Sequence, residues 1–211
     1  MTKTPRDIRE VEKIRESILD KAVEIINADG FKGLTMRKLA VRMEMSATNL
    51  YNYFSNKDEI YINILIRGFK MLYDNMRTVY DGHANPLERG KKIIHTYLSF
   101  GIQNYNYYEI MFSSGLPKYK DYVGTPLEKL ASIEMGYSKQ IIDLSMNAVS
   151  DVMRSVKNSR EAGNEMRMIE VWSMLHGMIS LYNSRMIDYL TPKPVNKYET
   201  IIEDIIDLIT S

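Results

Sequence analysis

Two short amphipathic segments meeting at a tight turn, TMRKLAVRMEMSATNLYNYF over residues 35–54, restrict the fold of this chain more than any other feature. Met36, Leu39, Ala40, Met43, Leu50 and Phe54 recur at helical spacing and can close one small apolar core, which leaves Arg37, Lys38, Arg42, Thr48, Asn49 and Tyr51 facing outwards. Thr35 and Ser46 stand where each helix needs an N-cap, a position at which a hydroxyl oxygen accepts backbone N–H groups that lack a partner inside the helix. The spacing predicts a helix-turn-helix.

Charge is concentrated on the same stretch. Residues 32–57 hold five bases (Lys32, Arg37, Lys38, Arg42 and Lys57) against one acid, Glu44, whereas residues 58–211 hold 17 bases and 19 acids. The net charge of +1 for the whole chain conceals this asymmetry, and only the N-terminal part suits a polyanion.

Around this core the helix signals are regular. Residues 5–29 carry Val11, Ile14, Ile18, Ala22 and Ile25 at steps of three and four, an amphipathic helix ended by Gly30 and Gly33. Asn56 with Glu59, Asn85-Pro86-Leu87-Glu88 and Thr125-Pro126-Leu127-Glu128 are helix starts. Helices are expected over residues 56–80, 86–104, 107–112, 126–156, 161–189 and 197–209, with Pro192 and Pro194 breaking the chain before the last. No segment combines β-branched enrichment with period-two alternation, so the expected fold is all-α. A three-helix helix-turn-helix domain over residues 1–55 should precede a larger helical bundle over residues 56–211, with about nine helices in total.

Composition removes several chemistries. There is no cysteine, and His83, His95 and His176 are scattered, so no metal or other cofactor is expected. No nucleophile elbow, phosphate loop or metal-ligand spacing is present, so no catalytic residue is assigned; a small-molecule hydrolase is the least favoured reading, below a DNA-independent helical adaptor. The charged N-terminus and the absence of an 18-residue apolar run predict a cytoplasmic chain with no membrane partner.

Laid out this way, the N-terminal part resembles the tetracycline-repressor (TetR) family of transcription regulators. The resemblance rests on Leu34-Thr35-Met36-Arg37-Lys38-Leu39-Ala40, on residues 46–54 with Leu50-Tyr51-Asn52-Tyr53-Phe54, and on Asn56-Lys57-Asp58-Glu59-Ile60. It implies a ligand-responsive repressor that binds a near-palindromic double-stranded DNA operator as a dimer and is released by a small apolar or aromatic effector. Ala47, Thr48 and Asn49, at the start of a helix that enters the major groove, are the candidate base readers: asparagine can bond adenine bidentately, and alanine or the threonine methyl can touch thymine. By family analogy Thr35, Ser46, Tyr51, Tyr53 and Lys57 are phosphate or groove contacts, and Arg37 and Asn52 complete the DNA-facing set. Glu44 departs from the family pattern, which has glycine at this turn, and a left-handed backbone there would be disfavoured.

In the larger part, Trp172-Ser173-Met174-Leu175-His176-Gly177 resembles a Trp-x-x-x-His-Gly signature of one subgroup of these regulators, as YEIMF at residues 108–112 resembles another of its segments. Tyr97, Phe100, Met111, Met135, Tyr137, Trp172 and His176 are candidates to line an effector pocket, with core packing the simpler role for any single one. The helix over residues 161–189 carries one apolar stripe at Met168, Trp172, Leu175, Ile179, Tyr182 and Met186 and a second at Met174, Met178 and Leu181. The final helix is apolar on most sides, with Ile201, Ile202, Ile205, Ile206, Leu208 and Ile209. The resemblance implies a homodimer through these last two helices.

Overall fold

The computed structural model describes residues 8–156, 164–190 and 197–210. Among the described residues there are eleven helices and no strand: α1 Ile8–Gly33, α2 Met36–Arg42, α3 Ala47–Leu50, α4 Lys57–Gly82, α5 Pro86–Gln103, α6 Tyr105–Phe112, α7 Tyr119–Tyr122, α8 Glu128–Ser155, α9 Asn164–Asn183, α10 Met186–Leu190 and α11 Lys197–Thr210. The count exceeds nine because residues 119–122 form an extra turn of helix and the expected helix over 161–189 is broken. At the break Arg185 takes φ 58, and the chain re-enters helix at Met186. Residues 161–163, Pro192 and Pro194 lie outside the described residues.

By contact density the chain divides into two compact units, residues 1–68 with 109–135 and residues 69–108 with 136–211. In the first, α1 buries Ile18, Leu19, Ala22, Val23, Ile25 and Ile26 and turns at Gly30, whose φ of 70 favours glycine. Beyond that bend Phe31 packs against Tyr61 with ring centroids 4.8 Å apart, and Leu34 is fully buried. The segment 109–135 joins this unit through side chains: Tyr61 Oη donates to the Pro117 carbonyl at 3.0 Å, and Tyr122 Oη donates to Asp58 at 3.2 Å.

In the second unit α5 packs on α9 and α11. Gly101 leaves room on α5 for the Ile179 side chain of α9, since a Cβ there would come within 2.5 Å of Ile179 Cδ1. Asn183 Nδ2 donates to the Gly101 carbonyl at 3.2 Å beside this close contact. On α11, Ile202, Ile205, Ile206 and Ile209 are buried inside the chain, whereas Glu203, Asp204 and Asp207 are exposed.

Five cap expectations can be compared atom by atom. Thr35 and Ser46 accept the N–H groups of Lys38 and Asn49, each at 3.1 Å. Asn85 accepts those of Leu87 and Glu88. At α4 the reciprocal half shifts by one residue: Asn56 accepts the Glu59 N–H at 2.8 Å, but the Glu59 carboxylate takes the N–H and hydroxyl of Ser55 instead. Thr125 accepts the Leu127 N–H at 3.2 Å, and regular helix starts at Glu128 rather than at Pro126.

Candidate DNA interface and effector cavity

The turn between α2 and α3 is a helix C-terminus of the Schellman type. Met45 N donates to the Ala40 carbonyl at 3.0 Å and Glu44 N to the Val41 carbonyl at 3.1 Å, a pairing that requires a left-handed residue between them. That residue is Glu44, exposed and at φ 52, so the turn keeps the geometry that glycine would give and tolerates the side chain by pointing it to solvent. The conformation costs roughly 1–2 kcal/mol for a residue with a Cβ. Glu44→Gly should therefore raise stability by about 1 kcal/mol once the extra freedom of glycine in the unfolded chain is deducted, seen as a melting temperature roughly 2–4 °C higher.

After Ser46 the chain makes only four residues of α-helix, 47–50, and then tightens through i→i+3 bonds from Asn52 N to Asn49 O and from Tyr53 N to Leu50 O. Leu50, Tyr53 and Phe54 are buried and anchor this short helix to the core, with Met36 and Met43 half-buried beside it. Ala47, Thr48, Tyr51 and Asn52 are exposed, and Asn49 is half-buried with its amide near that of Asn52. The Arg15 guanidinium sits 4.1 Å from the centre of the Phe54 ring and donates to the Tyr53 carbonyl, which braces α1 against the end of the motif.

The expected DNA-facing set is thus brought to one local motif, with differences in availability. Thr35 and Ser46 already use their oxygens as caps, and Tyr53 is only 6% exposed. Arg37 and Arg42 are exposed; Lys38 pairs with Asp29 at 2.6 Å, and the Lys57 ammonium lies 4.4 Å from the centre of the Phe31 ring. The pairing of Lys38 was not legible in the sequence because Asp29 lies outside the stretch in which the charges cluster.

The second unit holds a small cavity of about 30 Å³ with an almost wholly apolar wall, room for about one water molecule. Its walls come from α4, α5, α8, α9 and α11, with Met76, Tyr97, Ser145, Val152, Met168 and Trp172 among them, and no charged residue lines it. Of the seven expected pocket residues, Tyr97 and Trp172 are in this wall. Phe100 is buried elsewhere in the same unit, and Tyr137 is half-buried with its ring centroid 6.2 Å from that of Tyr73. Met111 is buried in the first unit, and Met135 is exposed.

His176 is held by tyrosines on both ring nitrogens. Tyr97 Oη lies 3.0 Å from Nε2, and Tyr108 Oη bonds Nδ1, while Trp172 meets the imidazole edge-on. Burial lowers the His176 pKa below its ordinary 6.5 and pushes the Tyr97 phenol well above 10. With its folded pKa depressed, the imidazole binds fewer protons than in the unfolded chain, so its contribution to stability is present above pH 6.5 and lost as the pH falls through the folded value. The melting temperature should decline more steeply below pH 6.5 in the natural chain than in His176→Gln, which a calorimetric pH series would show.

Among the described residues no helix is long and apolar enough to cross a membrane, and no group of three or more acidic, histidine or cysteine residues is placed to hold a metal ion.

Known proteins share both the sequence motif and the helical architecture. Residues 18–64 match "Bacterial regulatory proteins, tetR family", and residues 91–205 match "Tetracyclin repressor-like, C-terminal domain". The uncharacterized HTH-type transcriptional regulator YobS of Bacillus subtilis is 27% identical over 132 residues, covering 60% of this chain and 67% of that protein. The ketosteroid transcriptional regulator KstR2 of Mycobacterium tuberculosis has the same fold, with a TM-score of 0.69 at 15% identity over 92% of each chain. So does AibR, solved in complex with isovaleryl coenzyme A and operator DNA, with a TM-score of 0.66 at 16% identity over 92% of this chain and 96% of that one. The capped helix-turn-helix and the matches across most of the remaining bundle lead to one conclusion: the chain belongs to the tetR family of bacterial regulatory proteins.

Proposed function

We propose that this chain is a homodimeric, effector-released repressor, with residues 1–55 entering operator DNA and residues 56–211 binding the effector and the second subunit. The observation that carries the reading is the exposure of Ala47 and Thr48, with Asn49 beside them, on a capped helix start flanked by exposed Arg37 and Arg42. In this reading Ala47, Thr48 and Asn49 meet base edges, while Thr35, Arg37, Ser46, Tyr51, Asn52, Tyr53 and Lys57 fix the register on phosphates and groove walls.

A dimer places two such helices about 34–36 Å apart in successive major grooves. The face that suits the second subunit lies on α9, where Met166, Ile169, Met174 and Leu181 are exposed around the small residues Ser173, Gly177 and Ser180. Met178, assigned to this stripe from its spacing, is buried in its own chain and is not part of that face.

The effector is carbon-rich, in keeping with the apolar cavity wall. The lever is α4. Met76 lines the cavity, and Tyr80 donates to Asp151 at 2.8 Å, an oxygen that also accepts from Arg89. The first residues of the same helix carry Lys57 and the Tyr122 acceptor Asp58. An effector that binds better to another α4 position lowers operator affinity by that difference. The protein acts in the cytoplasm, without catalysis.

Gel-shift titration against genomic fragments across a salt series tests the reading. Selected sequences whose binding weakens steeply and linearly in log salt are expected, because phosphate contacts release counterions. A flat salt response, or no selected sequence, would remove the DNA assignment.

A further inference from the structure

The five bases of residues 32–57 are not equally free. Lys32, Arg37 and Arg42 are exposed, whereas Lys38 and Lys57 are half-buried and each rests on a residue at the bend of α1. The Lys38 ammonium lies 2.6 Å from the Asp29 carboxylate, and the Lys57 ammonium lies 4.4 Å from the centre of the Phe31 ring. Gly30 stands between these two partners, and its φ of 70 makes the bend. Lys38 comes from α2 and Lys57 from the start of α4, so one bend holds a cation from each side of the helix-turn-helix.

A chain that binds DNA through a basic face gains affinity from every phosphate it neutralises, and holding two of the bases on its own side chains works against that gain. The Phe31 ring is itself fixed, since it packs at 4.8 Å on the fully buried Tyr61, so Lys57 and not the ring is the part that can move. Asp29 and Lys38 are both partly exposed, and a pair of that kind is weak enough to exchange one partner for another.

We propose that Asp29 and Phe31 hold Lys38 and Lys57 in reserve, so that the chain meets DNA of unselected sequence with its exposed bases and releases the two lysines only where base contacts fix the register. On unselected DNA no base contact holds a phosphate in one place, and the lysines stay with their internal partners. On the operator, Lys57 reaches its phosphate by leaving the ring. The inference rests on the DNA-binding reading above and deepens it: Asp29 and Phe31 become positioning residues that set how many phosphates the face engages.

The test uses the full chain and a duplex of random sequence, with affinity measured by fluorescence anisotropy across a salt series. Asp29→Asn should tighten binding roughly twofold to fivefold, the range of an exposed ion pair, and steepen the slope of log affinity against log salt by about 0.9, the effect of one more phosphate contact. Loss of a negative charge tightens binding whatever Lys38 does, so the deciding measurement is Asp29→Asn in a Lys38→Gln background, where the slope should not steepen. Phe31→Leu should steepen the slope in the same way through Lys57. Its melting temperature is followed because Phe31 is half-buried, and if that variant unfolds the Asp29 and Lys38 series decides alone. Equal steepening by Asp29→Asn in both backgrounds, or steepening in neither, would overturn the proposal. If DNA is bound with a steep salt dependence and only the coupling between Asp29 and Lys38 is missing, this inference falls alone; if no duplex of any sequence is bound, the regulator reading falls with it.

Discussion

A chain carrying Ile169→Glu and Leu181→Glu should sediment as a monomer, keep its melting temperature, and lose operator affinity on the order of 100-fold. Both side chains are exposed, at 59% and 41%, so neither supports the core of its own chain, and surface substitutions of this kind change stability by about 0.5 kcal/mol or less. Across a two-fold axis, each acidic side chain would meet an apolar patch or its own symmetry mate, and either outcome leaves a desolvated charge. The loss of DNA affinity follows because a monomer forfeits the second half-site, whose engagement is intramolecular once the first is bound. A dimer that survives both changes would place the interface elsewhere. Ile205→Asp is not an equivalent probe: Ile205 is fully buried within the chain, and a carboxylate there should cost on the order of 4 kcal/mol and unfold the bundle.

Asn49→Ala should weaken operator binding by roughly fivefold to 150-fold, equivalent to the 1–3 kcal/mol or so of a bidentate adenine contact, and should do so at one base position in each half-site. The test is a set of operators substituted one base at a time. The natural protein should discriminate at that position and the variant should not, while both keep the same profile elsewhere. The cap survives the change, since Ser46 accepts the backbone N–H of residue 49 and not its side chain. Tyr51→Phe, by contrast, should weaken all operators alike, as expected for a contact to phosphate. A uniform loss in Asn49→Ala would reassign Asn49 from reading to positioning.

Much of the helix-turn-helix was legible because its rules are local. A hydroxyl before an apolar run gave both caps, and helical spacing gave the buried Leu39, Ala40, Leu50 and Phe54. The break at Arg185 was not legible, because a left-handed arginine leaves none of the signals that glycine or proline would. Periodicity also cannot tell which partner an apolar stripe faces. Ile205 and Met178 have the same spacing as interface residues, yet they pack inside their own chain. In the cavity wall, residue type led to Tyr97 and Trp172 but not to the other five residues expected there, and the grouping of residues 109–135 with 1–68 depends on tertiary contacts such as Tyr61 with Pro117.

The short helix of residues 47–50 separates two demands that most binding surfaces combine. Leu50 and the following Tyr53 and Phe54 hold it in place, and Ser46 caps it, while the side chains of Ala47 and Thr48 are exposed. Exchanging Ala47 and Thr48 should therefore alter the preferred operator at a cost of about 0.5 kcal/mol or less in stability. If these two residues read the operator, its preferred sequence can drift by single substitutions without passing through unfolded intermediates on the way from one target to another.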